Sequence, residues 1–304
     1  MELTLHLGAH RTGSTALAAA FRLNRVALAG MGLAFRGPHR LREIADFSSV
    51  VKLTRLAATG DLLAAERLAR VALALKNEAS ALRPASRHLV LSEENILGTM
   101  KDCLTSGSLY PDLAFRLAAH ARILPRLPTR IALAVRSYDS FWRSAYMFVL
   151  MRGALPEFAG LAPALLSSPR GWGDVVQDIR EAFPAAEVIL WRQEDTTDRL
   201  APVLRAIAGE GSPEGFREPP AGVNASWPAA AAARIYALRR SEPELAGEAL
   251  KLRLRQDGGA GDPAAPDVFT DRQAEELRAK YRKDCKNLQD MGLRMVAGMT
   301  GAAA

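Results

Sequence analysis

The sequence predicts a three-layer α/β fold, with helices on both faces of a central parallel sheet of about four to five strands. Three observations predict it. Short, continuous apolar runs recur along the chain, as in strands buried on both faces. Helical patterns fill the gaps between those runs. The first run ends in a glycine-flanked turn that opens a helix.

Taken in order, Leu3–Leu7 is the first strand and Leu17–Ala29 the helix after its turn. Leu33–Phe35 is a short further strand. Asp61–Leu82 has the 3.6-residue period of a long amphipathic helix. His88–Leu91 is the next strand, and the helix Leu113–Leu124 leads into the strand Ile131–Val135. The helix Ser140–Met151 follows. Val175–Phe183 and Leu200–Ala208 are helices that bracket the strand Val188–Trp191. Glycine and proline mark loops at 209–222 and 257–267. Pro228–Arg240 and Asp271–Met291 are helical. There is no internal repeat. Residues 1–304 read as one domain, a sheet core over about 1–210 with a helical C-terminal cap over about 223–298.

With 304 residues and 49% hydrophobic content, the chain can bury a large core. Aromatics are only 6%, while alanine and leucine abound, which suits helices packed through small side chains. No run approaches the roughly 18 apolar residues of a bilayer span. No basic stretch followed by an apolar block marks a secretory signal. The first 40 residues are arginine-rich and acid-poor, as in a transit peptide, yet they already spell strand, loop and helix. A cytoplasmic location is expected. Cys103 and Cys285 lie far apart and read as free thiols in a reducing compartment. The histidines His6, His10, His39, His88 and His120 show no ligand spacing, so no metal site is expected.

Charge is uneven. Residues 1–152 hold 21 Lys+Arg against 11 Asp+Glu, and the remainder 19 against 22. A basic half suits an anionic ligand, although arginine is also simply common here. No basic run interleaved with aromatics points to nucleic acid.

The opening turn carries the chemistry. Gly8-Ala9-His10-Arg11-Thr12-Gly13-Ser14-Thr15 has the glycine spacing of the nucleotide loop GxxxxGK[ST]. Glycine lets backbone approach an anion, and helix-start N–H groups point at it. Ser14 stands where that motif has lysine; the nearest cation is Arg11. The fold is therefore P-loop-like, without the wiring of an ATPase. A second anion site is expected at the carboxyl end of Ile131–Val135, where ligands of parallel sheets collect. Arg136 ends that strand, and Ser144 follows in the early turns of the next helix, close enough to share a phosphate. The alternative for Arg136 is a surface salt bridge. Two phosphate sites on one sheet suit a nucleotide with phosphates at both ends.

With these residues the chain resembles the sulfotransferases that use 3′-phosphoadenosine-5′-phosphosulfate (PAPS). His10-Arg11-Thr12-Gly13-Ser14-Thr15 is similar to their 5′-phosphosulfate loop, usually Lys-Thr-Gly-[Ser/Thr]-[Ser/Thr]. Val135-Arg136…Ser144 is similar to their 3′-phosphate motif, with the eight-residue spacing from arginine to serine retained. Leu5-His6-Leu7-Gly8-Ala9-His10 resembles the lead-in of bacterial members. Asn224-Ala225-Ser226 and Tyr281…Asn287-Leu288…Met291-Gly292 resemble their carboxyl-terminal regions. The resemblance implies that His10, Arg11, Thr12, Gly13, Ser14 and Thr15 hold the 5′ end of PAPS, and that Arg136 and Ser144 hold its 3′-phosphate. It implies transfer of the sulfuryl group to a hydroxyl or amine. Arg11 departs from the usual lysine, a planar fork in place of a point charge.

Such a transfer needs a cation on the leaving phosphate and a base for the acceptor proton. Arg11 is the proposed cation. Glu93, with Glu94 second, is the proposed base, because both follow the strand His88–Leu91 at its carboxyl end. The competing expectation is that one of them caps a helix start at Asn95–Gly98. His39 and Glu43 stand in reserve, with His39 read as a surface residue in a turn. His6 reads as a buried, hydrogen-bonded strand residue, and His10 either touches ligand or braces the loop. Tyr138, Trp142 and Tyr146 recur every four residues and read as core, the default also for Trp172, Trp191 and Trp227. The acceptor (carbohydrate, lipid or small molecule) would be selected by 37–86, 95–112, 153–174 and 209–270, which carry no readable code. Two other functions fit the loop. One is a P-loop kinase or NTPase, which lacks its lysine and a magnesium-holding aspartate at a strand end. The other is a nucleotide-binding protein without activity.

Overall fold

The computed structural model describes residues 1–44, 47–153, 155–196, 199–209, 215–220, 231–256 and 268–296. Six strands form one all-parallel sheet: β1 Glu2–Gly8, β2 Leu33–Arg36, β3 His88–Ser92, β4 Arg130–Val135, β5 Glu187–Arg192 and β6 Arg294–Met295. Their order across the sheet is β2-β3-β1-β4-β5-β6. The helices are α1 Ser14–Leu23, α2 Arg25–Gly30, α3 Pro38–Ile44, α4 Val50–Ala58, α5 Leu62–Leu82, α6 Met100–Ser106 and α7 Leu113–Ala121. They continue as α8 Tyr138–Leu150, α9 Phe158–Ser167, α10 Trp172–Ala182, α11 Ala201–Ala208, α12 Ala232–Ser241, α13 Gly247–Gln256 and α14 Asp271–Asp290. None among the described residues is long and apolar enough to cross a membrane.

Two cores lie on the two faces of the sheet. The thin one holds Leu17, Phe21 and Leu28 of α1 and α2 and Val203, Leu204 and Ile207 of α11. The thick one gathers the remaining helices, including Ile235, Leu250 and Leu277 from α12, α13 and α14. Period-two alternation assigns each strand residue its side. Ile131, Leu133 and Val135 of β4 enter the thick core, and Ala132 and Ala134 the thin one. On β1, Leu3, Leu5 and Leu7 are apolar toward the thick core. The intervening Thr4 and His6 are polar, buried and paired with β3: Thr4 Oγ1 lies 2.8 Å from His88 Nε2, and His6 Nδ1 lies 2.7 Å from Ser92 Oγ.

Several elements differ from the sequence expectation. The sheet gains β6, which extends the predicted four to five strands to six and ends a region expected to be helical. At two residues it has no periodicity to read; Val296 N–H donating to Leu190 O (2.9 Å) holds it against β5. The predicted helix Leu17–Ala29 breaks at Asn24. The Asn24 side chain accepts from Arg217 N–H (2.8 Å) and donates to Arg217 O (2.9 Å), pairing with a segment far along the chain. His39 lies on α3, not in a turn. Helices α3, α4, α6, α9 and α13 fill stretches with no sequence assignment. Cys103 and Cys285 are free and buried, and burial pushes the Cys103 thiol up to about 12 and the Cys285 thiol up to about 11. Asn224, Ala225, Ser226, Trp227, the start of the Pro228–Arg240 helix and the 257–267 loop lie outside the described residues.

Burial holds His6, His88 and His120 at about 4, well below an unfolded histidine near 6.5. Between these values the unfolded chain binds more protons than the native one, so stability falls as pH drops from about 6.5 to 4. Each histidine contributes up to about 1.4 kcal/mol per pH unit in that window. Urea unfolding at pH 7, 6 and 5 checks this: the expected midpoint falls at each step, and His6→Gln or His120→Gln flattens the fall. A midpoint constant over that range refutes it.

Candidate functional site

β1 and β4 are neighbours, yet their outgoing connections run to opposite edges of the sheet, β1 toward β2 and β4 toward β5. Such a switch point opens a crevice at the carboxyl ends of the strands. The turn after β1 and the end of β4 flank it.

The turn needs glycine at both ends. Gly8 has φ +98° and Gly13 +88°, both in the left-handed region. A Cβ on Gly8 would also stand 3.2 Å from Glu94 Cβ and 3.3 Å from His10 N. Arg11 adopts φ +62° between them. Thr12 Oγ1 donates to Ala9 O at 2.7 Å and closes the turn. Helix α1 starts directly after Gly13, with neither a side-chain cap nor an acid in its first turn. Its N-terminal dipole favours an anion, and Ser14 Oγ there donates to the Glu94 carboxylate at 2.6 Å. Gly13 and Thr15 are exposed, Arg11 and Ser14 half-buried, and His10 and Thr12 buried.

His10 braces the turn from beneath. Its backbone N–H donates to Tyr110 Oη (3.2 Å), Nδ1 lies 3.3 Å from the same oxygen, and Nε2 lies 3.2 Å from Asn95 Oδ1. This network fits the tautomer with hydrogen on Nε2, Tyr110 donating to Nδ1. Burial lowers the imidazole pKa and keeps it neutral.

The two glutamates have separate partners. Glu93 is 2% exposed and receives a two-pronged bond from Arg42, Nε at 3.1 Å and Nη2 at 2.8 Å. Its Oε1 also accepts Asn95 N–H (3.1 Å), capping the short 3-10 turn Glu94–Ile96. Glu94 instead faces the turn after β1: its Oε2 accepts from Ser14 Oγ at 2.6 Å. Arg116 fixes the same turn by donating to Asn95 O (2.5 Å) and Ile96 O (3.0 Å). The geometry thus gives Glu93 the capping part and brings Glu94 to the site, reversing their order in the sequence reading. His39 and Glu43, the reserve candidates, pair with each other on the exposed surface of α3.

The end of β4 meets the turn directly. Arg136 Nη1 donates to Arg11 O (2.5 Å), and its Nε donates to Ser140 Oγ (2.9 Å). Trp172 Nε1 holds the Arg136 carbonyl at 2.8 Å. Arg11 Nε donates to Ser144 Oγ at 2.9 Å. The serine partners therefore differ from the expected Arg136–Ser144 pair. Ser140 lies in the first turn of α8, beside the strand end, and Ser144 lies a turn farther on, where Arg11 arrives. Burial lowers the pKa of both guanidiniums. Arg136 lowers that of Arg11 further, against Glu94, and Glu194 and Asp139 oppose the lowering at Arg136. Those two carboxylates are engaged: Glu194 accepts from Ser137 N–H (2.7 Å) and Tyr281 (2.9 Å), and Asp139 from Ser137 Oγ (2.6 Å) and Arg278 (3.1 Å).

Two surface hollows, one beside Met31 and Arg87 and one beside His88 and Arg130, lie at the amino ends of the strands, away from this cluster. Tyr138, Trp142, Tyr146, Trp172 and Trp191 are core. Sequence reasoning missed Arg42, Ser140, Tyr110 and Arg116; only Ser140, four residues after Arg136, had a local signal. In comparisons with protein-family models, curated proteins and solved structures, no match was found.

Arg42→Ala strips a buried carboxylate of its partner. The side chain of Arg42 is 47% exposed, which reduces the loss below that of a fully buried pair. A cost of about 1–3 kcal/mol is expected in urea unfolding, with Arg42→Lys intermediate. A change under about 0.5 kcal/mol would show that the pair carries no stability.

Proposed function

We propose that the chain is a PAPS-dependent sulfotransferase acting on a hydroxyl or amine. The observation that carries this is the contact of Arg136 Nη1 with Arg11 O, which joins two arginine–serine sets at the switch point. Arg136 with Ser140 would take the 3′-phosphate. Arg11 with Ser144, the Thr12–Thr15 backbone and the start of α1 would take the 5′ end. The residues fit the group: two half-buried guanidiniums, neutral hydroxyl partners, and a turn whose conformation brings backbone N–H groups close to an anion.

PAPS would supply the sulfuryl group, passed to the acceptor oxygen or nitrogen as its bond to the 5′-phosphate breaks and that phosphate keeps the electron pair. Arg11 neutralises the charge gained there. Glu94 receives the acceptor proton, since its carboxylate lies at the turn while Glu93 is held by Arg42. His10, neutral and held from both ring nitrogens, keeps the turn in place. The half-buried contacts of Glu94 with Ser14 and of Arg11 with Ser144 set them in position before substrate arrives.

Adenosine 3′,5′-bisphosphate should raise the melting temperature by several degrees at about a hundredfold excess over its Kd. No shift at millimolar nucleotide contradicts the proposal. Arg136→Ala should weaken that nucleotide by about 1.5–3 kcal/mol, roughly ten- to a hundredfold, in calorimetric titration. Unchanged affinity removes Arg136 from the site. Glu94→Gln should cut sulfuryl transfer to an alcohol roughly 100-fold with nucleotide affinity kept, while Glu93→Gln acts chiefly on stability. A larger catalytic loss from Glu93→Gln returns the base to Glu93.

A further inference from the structure

One face of α8 bears a functional group at every fourth position: Ser140, Ser144, Phe148 and, just beyond the helix, Arg152. Three guanidiniums meet this face in order. Arg136 binds Ser140 and Arg11 binds Ser144, each at 2.9 Å. Arg152 lies over the Phe148 ring, its Cζ 3.6 Å from the centroid, and Arg11 Cζ lies 5.3 Å from the same centroid. At about 1.5 Å per residue, successive steps are about 6 Å apart.

Two of the three cations are assigned to the two ends of the nucleotide. The third lies past Arg11, on the side away from Arg136. A donor running from Arg136 to Arg11 presents its reacting end there, so the acceptor approaches on that side. Arg152 is exposed, and its guanidinium donates to Phe148 O (3.0 Å). It has no carboxylate within ion-pair distance among the described residues. The charged groups facing it are Glu94, Glu248 and Arg11, and Glu248 is taken by Lys251 at 2.5 Å. A guanidinium laid on a ring keeps its fork oriented while its free N–H groups stay available for two-pronged contact with an oxyanion.

We propose that the acceptor is an anionic alcohol, a hydroxyl compound that also carries a carboxylate, sulfate or phosphate, and that Arg152 braced on Phe148 binds its negative group. This rests on the sulfotransferase reading of the same site. Phe148 is a positioning residue for Arg152.

The test is equilibrium titration of the full chain saturated with adenosine 3′,5′-bisphosphate, followed by ligand-observed NMR. The probes are two matched pairs: phenyl β-D-glucuronide against phenyl β-D-glucoside, and 3-phosphoglycerate against glycerol. The anionic member of each pair should bind about tenfold tighter or better. Arg152→Ala should abolish the preference, and Arg152→Lys should retain part of it. Affinity for the bisphosphate should change by less than the anionic preference in both variants, since Arg152 meets Arg11 only through the shared Phe148 ring and charge repulsion, and bonds neither Ser140 nor Ser144. Absence of a preference in the parent, including no binding of either member, overturns the proposal. So does a preference that survives Arg152→Ala. Failure of the bisphosphate itself to bind fells the nucleotide reading and this one with it, whereas bisphosphate binding without anion preference fells this one alone.

Discussion

The hydrogen bond from the Arg136 guanidinium to the Arg11 carbonyl organises the carboxyl end of the sheet. It links the turn after β1 to the end of β4, two points 125 residues apart in sequence. It also brings two cations together that would otherwise separate. Like charges in a half-buried setting repel and lose hydration, so such an arrangement persists only where surrounding groups fix it. Here the fixing groups are mostly neutral. Serine hydroxyls take one N–H from each guanidinium, Trp172 holds the Arg136 carbonyl, and the nearby acids Asp139 and Glu194 are bound elsewhere. The positive charge of the cluster is thus fixed in place, with Glu94 acting on Arg11 and with Glu194 and Asp139 acting on Arg136.

Around that link the structure is arranged in shells. Arg42 and Arg116 hold the 3-10 turn from two sides, one through the Glu93 carboxylate and one through backbone carbonyls. Asn95 connects the same turn to His10, and His10 connects to Tyr110, whose φ of +44° is maintained inside a fully buried site. Glu94 is what this framework presents. Two adjacent glutamates point to different surroundings because Glu93 is still extended at the strand's end while Glu94 opens the 3-10 turn. One goes to a structural arginine and the other to the turn.

The carboxyl-terminal helix belongs to the same framework. Through Arg278 and Asp284, α14 bonds Asp139 and Tyr138 at the start of α8, and through Tyr281 it bonds Glu194 just after β5. Those contacts occupy the acids that flank Arg136. Removing α14 would therefore alter the electrostatics of the β4 end as well as the thick core that Leu277 and Leu288 help to fill.

The sequence alone determined the layered α/β plan, five of the six strands and the glycine turn, because each has a short-range cause. A strand buried on both faces is written in consecutive apolar residues, and a left-handed backbone at Gly8 and Gly13 is written in glycine. It placed Arg11, Arg136, Ser144 and both glutamates near strand ends for the same reason. Tertiary structure decided the rest. Which glutamate reaches the turn depends on Arg42, 51 residues away, and which serine meets which arginine depends on how α8 leaves β4 beside the turn. Asn24 breaks the helix where its side chain pairs with Arg217, and β6 pairs along the edge that β5 offers. Hydrogen-bond partners distant in sequence leave no periodicity, so their pairing is set by the packing that brings them within about 3 Å.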